Sequence, residues 1–165
     1  MKITANPEPL TPMNKALFLD RDGVINYDCG HVFTNDDFVF NEEIFDICRR
    51  YLDNGFLILV ITNQARIARG IYSEEDFLKV TEWMTDEFAR RGIAISKVYY
   101  CPHHPDFTGP CPCRKPEPGM LLKAIEEFDL DISQCELFGD KESDMEAGRR
   151  AGIPEANLHL YRAGE

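Results

Sequence analysis

The stretch "KALFLDRDGVIN", residues 15–26, constrains the fold more than any other. An unbroken apolar run, Ala16 to Leu19, ends in Asp20 and Asp22 and then Gly23. A continuous rather than alternating apolar run suits a parallel strand covered on both faces. Carboxylates at the end of such a strand are costly unless a positive charge compensates them. The fold must therefore supply covering layers on both sides of a sheet, and a cation at its edge.

The rest of the chain repeats the theme. "FLILVIT" (56–62) is a second continuous run, "ISKVYY" (95–100) a third strand, "CELFGD" (135–140) a fourth, and "NLHLY" (157–161) a candidate last strand. Between the first two, Ile44, Ile47, Cys48, Tyr51 and Leu52 fall on one helical face, with Gly55 after the helix end. Ser73 and Asp76 suit a capped N-terminus, and Phe77, Val80, Met84 and Phe88 form the apolar side of that helix up to Gly92. Pro118 opens a further helix carrying Leu121, Leu122, Ile125 and Phe128, and "ESDMEAGRRAG" is a short one. Alternation at this spacing predicts a doubly wound, Rossmann-like parallel α/β sheet. In such a sheet, ligands bind at the C-terminal edge, where Asp20, Thr62 and Asp140 all fall.

At 165 residues the chain suits a single domain over 14–165, preceded by an extended, proline-bearing tail over 1–13. A formal net charge of −11 argues against nucleic-acid or anionic-membrane partners. It leaves open a small phosphorylated substrate, which needs only a local cationic patch. The longest apolar run, Phe56 to Ile61, is too short to span a bilayer. Six cysteines without an apolar leader segment point to a reducing, cytoplasmic compartment.

Asp20 and Asp22 at one strand end, and Asp140 and Asp144 around another, would converge if the strands are neighbours. Carboxylates that close need a cation, and an oxygen-only ligand set favours Mg²⁺. Lys115 would offset them further. One workable division of labour makes Asp20 a nucleophile toward phosphorus and Asp22 the acid that protonates the leaving oxygen. Thr62 would offer a hydroxyl, and Lys115 a point charge, to the phosphoryl oxygens.

"CPHHPDFTGPCPCRKP" supplies Cys101, His103, His104, Cys111 and Cys113. Three thiolates and one imidazole make a Cys₃His set for structural zinc, with His103 preferred over His104 as the fourth ligand. A disulfide or free thiols are the bland alternatives. Five prolines and a glycine over 102–116 argue against helix or strand, so the metal would order this loop and fix Arg114 and Lys115.

Taken together, "FLDRDGVIN", "ITNQ…IARG", "CPHHP…CPCRKPEPGM" and "GDKESDMEAG" resemble the small phosphatases of the haloacid dehalogenase superfamily, in the group that includes heptose-bisphosphate and histidinol-phosphate phosphatases. The resemblance runs from Asn14 to about Gly152. It implies a sheet without a large cap domain and an aspartyl-phosphate on Asp20, with Asp22 as general acid and then base. It implies Mg²⁺ held by Asp20, the backbone carbonyl of Asp22, and Asp140, and zinc held by Cys101, His103, Cys111 and Cys113. Arg114 would help recognise substrate, supported by Asp28, His31, Asn63 and Lys141. The implied substrate is a heptose bisphosphate of envelope-sugar synthesis, with histidinol phosphate as alternative, hydrolysed by a monomer. Ala65-Arg66 stand where the group usually has Ser-Gly, which adds a cation at the rim. Two further classes use some of the same features: a receiver-type signalling domain, and a zinc-stabilised binding module without catalysis.

Overall fold

The computed structural model describes residues 13–165; the expected tail lies, except for Met13, outside the described residues. Strands β1 (Lys15–Leu19), β2 (Phe56–Asn63), β3 (Ile95–Cys101), β4 (Glu136–Gly139) and β5 (Leu158–Leu160) form one parallel sheet in the order β3-β2-β1-β4-β5. Helices α1 (Glu43–Asp53), α2 (Glu74–Arg90), α4 (Gly119–Phe128) and α5 (Glu142–Ala151) cover it, and a single turn of helix, α3 (Pro105–Thr108), interrupts the proline-rich loop.

Side-chain alternation explains why the strands read as solid apolar runs. Leu17, Leu19, Ile58 and Val60 face one core with Ile44, Phe45, Val80, Met84 and Phe88 from α1 and α2. Ala16, Phe18, Leu59 and Ile61 face a second core with Leu121, Ala124, Met145 and Ala147 from α4 and α5. Both faces are buried, so both residue parities must be apolar.

The helix boundaries follow local chemistry. Ser73 Oγ accepts from Asp76 N at 3.0 Å and the Asp76 carboxylate accepts from Ser73 N at 3.0 Å, a reciprocal cap. Pro118 is the residue before α4 rather than its first helical residue. The expectation of neither helix nor strand over 102–116 is corrected by α3, whose proline sits at the first helical position and whose preceding His104 side chain accepts from Asp106 N.

The order of strands places the site. It reverses direction between β1 and β4, the switch point where open α/β sheets hold ligands. Asp20 follows one of those strands and Asp140 the other. Receiver-type sheets run 2-1-3-4-5, so the signalling-domain alternative does not fit this topology. No helix among the described residues is long and apolar enough to cross a membrane.

Candidate active site

The ends of β1, β2 and β4 bring the predicted residues together. Asp20, Asp140 and Asp144 are all buried, and each offers a carboxylate oxygen within 4.8 Å of the others'. Lys115, also buried, reaches over from the proline-rich loop. Its ammonium donates to Asp20 Oδ1 at 2.9 Å and to the Ile61 carbonyl at 3.1 Å, and pairs with Asp144 Oδ1 at 2.6 Å. One lysine thus pairs with two of the three carboxylates, and Asp140 has no cationic partner from it.

The electrostatics of that imbalance are visible in the titration of the group. The Asp20 carboxyl is pushed up to about 8, chiefly by burial, with Lys115 opposing the rise and Asp144 and Asp22 adding to it. Burial likewise raises Asp140. For Lys115 burial works to lower the pKa, but Asp20 and Asp144 outweigh it and hold the ammonium charged. Asp140 Oδ1 is buried with no hydrogen-bond partner. A buried, unpartnered carboxylate oxygen beside two further acids fits a divalent cation bound through oxygen.

Gly23 lets the acidic turn close. Its φ is +90°, and a Cβ there would overlap Asp140 Oδ2. Asp22 lies just beyond the acid cluster. Its Oδ1 accepts from Arg21 Nε (3.1 Å), Arg21 Nη2 (2.9 Å) and Asn26 Nδ2 (3.0 Å). Its Oδ2 accepts from Arg21 Nη2 (3.1 Å) and Gln64 Nε2 (3.2 Å). Thr62 is buried, and its hydroxyl oxygen accepts from Gln64 Nε2 at 3.0 Å.

Two cavities open on this cluster. A small one of about 100 Å³ is lined by Asp20, Asp22, Asp28, Lys115 and Asp144, among others. A larger one of about 480 Å³ carries Arg66, Arg69, Arg114 and His104. Asn63, Arg66, Lys115, Lys141 and Ser143 line both. Asn63 is also a clamp: its Oδ1 accepts from Lys115 N (3.1 Å) and its Nδ2 donates to Lys115 O (3.2 Å), tying the end of β2 to the loop. His31 is exposed and lines neither cavity.

The sulfur cluster forms as expected. Cys101, His103, Cys111 and Cys113 converge with ligand atoms within 4.8 Å of one another. Cys113 Sγ lies 3.3 Å from His103 Nδ1 and 2.9 Å from Cys101 Sγ. His104 instead caps α3. Burial pushes the Cys101 and Cys113 thiols up. It works the same way on Cys111, but hydrogen bonds from the Arg114 backbone and the neighbouring thiols bring that group down to about 7. Three thiols and one imidazole facing one another in this way fit a four-coordinate metal.

Arg21, Asn26, Gln64 and Tyr72 are the residues that sequence reasoning missed. Arg21 stands between the two aspartates and Gln64 two residues beyond Thr62. Their adjacency to flagged residues was the available signal.

A family model described as HAD-hydrolase-like matches residues 112–157. A D-glycero-alpha-D-manno-heptose-1,7-bisphosphate 7-phosphatase of Campylobacter jejuni is 52% identical over 84% of this chain and 78% of its own length. A D-glycero-beta-D-manno-heptose-1,7-bisphosphate 7-phosphatase of Yersinia pestis is 45% identical over 87% of this chain and 79% of its own. Among solved structures, D,D-heptose 1,7-bisphosphate phosphatase from B. bronchiseptica, complexed with magnesium and phosphate, superposes with a TM-score of 0.78 at 30% identity, covering 84% of this chain and 77% of that one. The acid crevice at the switch point of a parallel sheet and the close likeness to these enzymes agree: the chain is a phosphatase that belongs to the haloacid dehalogenase-like hydrolases, in the family of the heptose-1,7-bisphosphate 7-phosphatases.

Proposed function

We propose that the chain removes the C7 phosphate of D-glycero-D-manno-heptose 1,7-bisphosphate in the cytoplasm, as a single-domain monomer. The observation that carries this reading is the pair of adjoining cavities. The acid-lined one suits the phosphoryl group that reacts, and the one bearing Arg66, Arg69, Arg114 and Lys141 suits a second phosphate on the same sugar. Histidinol phosphate would present an ammonium and an imidazole there. The lining of the larger cavity contains five cationic side chains, Arg66, Arg69, Arg114, Lys115 and Lys141, and no carboxylate, which favours a second anion.

In this reading the Asp20 carboxylate attacks phosphorus, and the bond from phosphorus to the C7 oxygen breaks. Asp22 gives its proton to that oxygen, so the sugar leaves as an alcohol. Water then attacks the aspartyl-phosphate at phosphorus and loses a proton to Asp22. Asp20 is restored and inorganic phosphate departs. Lys115 and the Thr62 hydroxyl hold the phosphoryl oxygens. Asp20, Asp140 and the Asp22 carbonyl would hold Mg²⁺, which supplies charge neutralisation for the carboxylates and the phosphoryl oxygens. Cys101, His103, Cys111 and Cys113 would hold zinc, a full set that leaves no place for substrate and serves to anchor Arg114 and Lys115. Asp28 borders the small cavity as a substrate contact. Asn63 acts through its clamp on Lys115, and His31 would reach substrate only from the exposed loop over 28–31.

Phosphate release from heptose, hexose and histidinol phosphates, with Mg²⁺ and with chelator, tests the reading. Fastest release from heptose bisphosphate, lost with chelator, is the expected result. A preference for histidinol phosphate would overturn the substrate assignment.

A further inference from the structure

Gln64 is buried, and its side-chain amide touches both proposed catalytic elements. One NH₂ donates to Asp22 Oδ2 (3.2 Å) and to Thr62 Oγ1 (3.0 Å). The amide oxygen accepts from the hydroxyl of Tyr72, another buried side chain. With the NH₂ toward Asp22, whose oxygens also accept from Arg21 and Asn26, and the amide oxygen toward the Tyr72 hydroxyl, each of these contacts pairs a donor with an acceptor. The Tyr72 ring stacks on Phe33 at 5.3 Å between centroids, which fixes the hydroxyl. On the other side of Asp22, Arg21 is held between the Phe38 and Phe77 rings and donates to the Val32 carbonyl. Asp22 is thus gripped from two directions by groups that are themselves immobilised.

We propose that Gln64, oriented by Tyr72, is a positioning residue that aims Asp22 at the leaving oxygen. The inference rests on the reading of Asp22 as the acid. A carboxylic acid side chain with two free torsions must be fixed to within a fraction of an ångström to deliver its proton in the transition state, and a misplacement of about 1 Å costs on the order of a hundredfold. Neither Gln64 nor Tyr72 needs to touch the substrate to do this.

The test exploits leaving-group dependence. An alcohol leaving group needs a proton from Asp22, whereas 2,4-dinitrophenolate departs without one. The value of kcat/KM runs through release of the leaving group and so excludes the later hydrolysis of the aspartyl-phosphate. Parent, Gln64→Met, Tyr72→Phe and Asp22→Asn proteins are each assayed on heptose bisphosphate and on 2,4-dinitrophenyl phosphate. Tyr72→Phe removes one oxygen and guards against misfolding of the Gln64 variant. The expected result is a ~10-fold or greater loss of kcat/KM on the sugar phosphate for both variants, with the aryl ester within about threefold of the parent. Equal losses on the two substrates, or no loss, overturn the proposal if Asp22→Asn itself discriminates between them. If Asp22→Asn shows no discrimination, the acid role of Asp22 falls, and the proposal falls with it.

Discussion

Two clusters of ligating side chains stand within one molecule, and they are built on opposite plans. The acid crevice draws Asp20, Asp140 and Asp144 from two sheet strand ends and a helix start, far apart in sequence, and lets them border a cavity. The sulfur cluster draws all four ligands from residues 101–113, and they face one another. The first set keeps a carboxylate oxygen without a partner. The second is internally complete. A rigid frame can hold ligands apart and leave room for a substrate, whereas a loop with little apolar burial of its own must close its ligands on a centre to be ordered at all. The crevice should therefore govern turnover, and the sulfur cluster stability.

The strongest way to break that comparison is Asp20→Asn. Turnover of the sugar phosphate should fall by at least ~10³-fold, the scale seen when a nucleophile is removed. The melting temperature, in chelator, should not fall, because a buried acid has been replaced by a neutral isostere. A lowered melting temperature would show that the crevice is structural. Cys113→Ala asks the converse question. Losing a bound metal at saturating concentration removes roughly 3 kcal/mol, which for a chain of this size lowers the melting temperature by roughly 6–12 °C, with activity lost as the loop bearing Lys115 loosens. Unchanged thermal stability would remove the structural role of the cluster.

Gly23→Ala probes the crevice frame. The added methyl meets Asp140 at a backbone φ of +90°, a combination that should cost about 1–3 kcal/mol, read as a lower urea midpoint. Titration sharpens the comparison further. Burial raises the Asp20 pKa from 3.8 to about 8, so between those values the folded, metal-free protein holds a proton that the unfolded chain releases. The stability contributed by this group is fully present below pH 3.8 and is lost as pH rises through about 8. In chelator, parent minus Asp20→Asn stability should fall across that window, and Mg²⁺ should flatten the difference. The smallest effect belongs to neither cluster. Lys79→Ala removes an exposed pair with Glu75 and should change stability by less than about 0.5 kcal/mol.

Most of the fold was legible because both faces of the central strands are covered, which writes an apolar residue at every position of residues 16–19 and 57–61. The crevice was legible because charge at the end of such a strand has few structural uses. The cradle around Asp22 was not. A glutamine after Thr62-Asn63 is an ordinary polar residue until the chain turns back and sets it beside residues some forty positions earlier. Asn63 was expected to support substrate recognition and is seen as a clamp on the Lys115 backbone, since the path of the loop over it is set by tertiary packing. The turn of helix at Pro105–Thr108 was hidden by the proline content of its loop, although proline at a first helical position is permitted.

The bond between Lys115 and Asp20 joins positions 95 residues apart. During synthesis the acidic turn emerges early and its ammonium partner only after most of the chain, with Asp140 and Asp144 later still. With Lys115 in the proposed role, a nascent fragment ending before residue 115 lacks part of the pocket, so fragments that stop before that position should be hydrolytically silent.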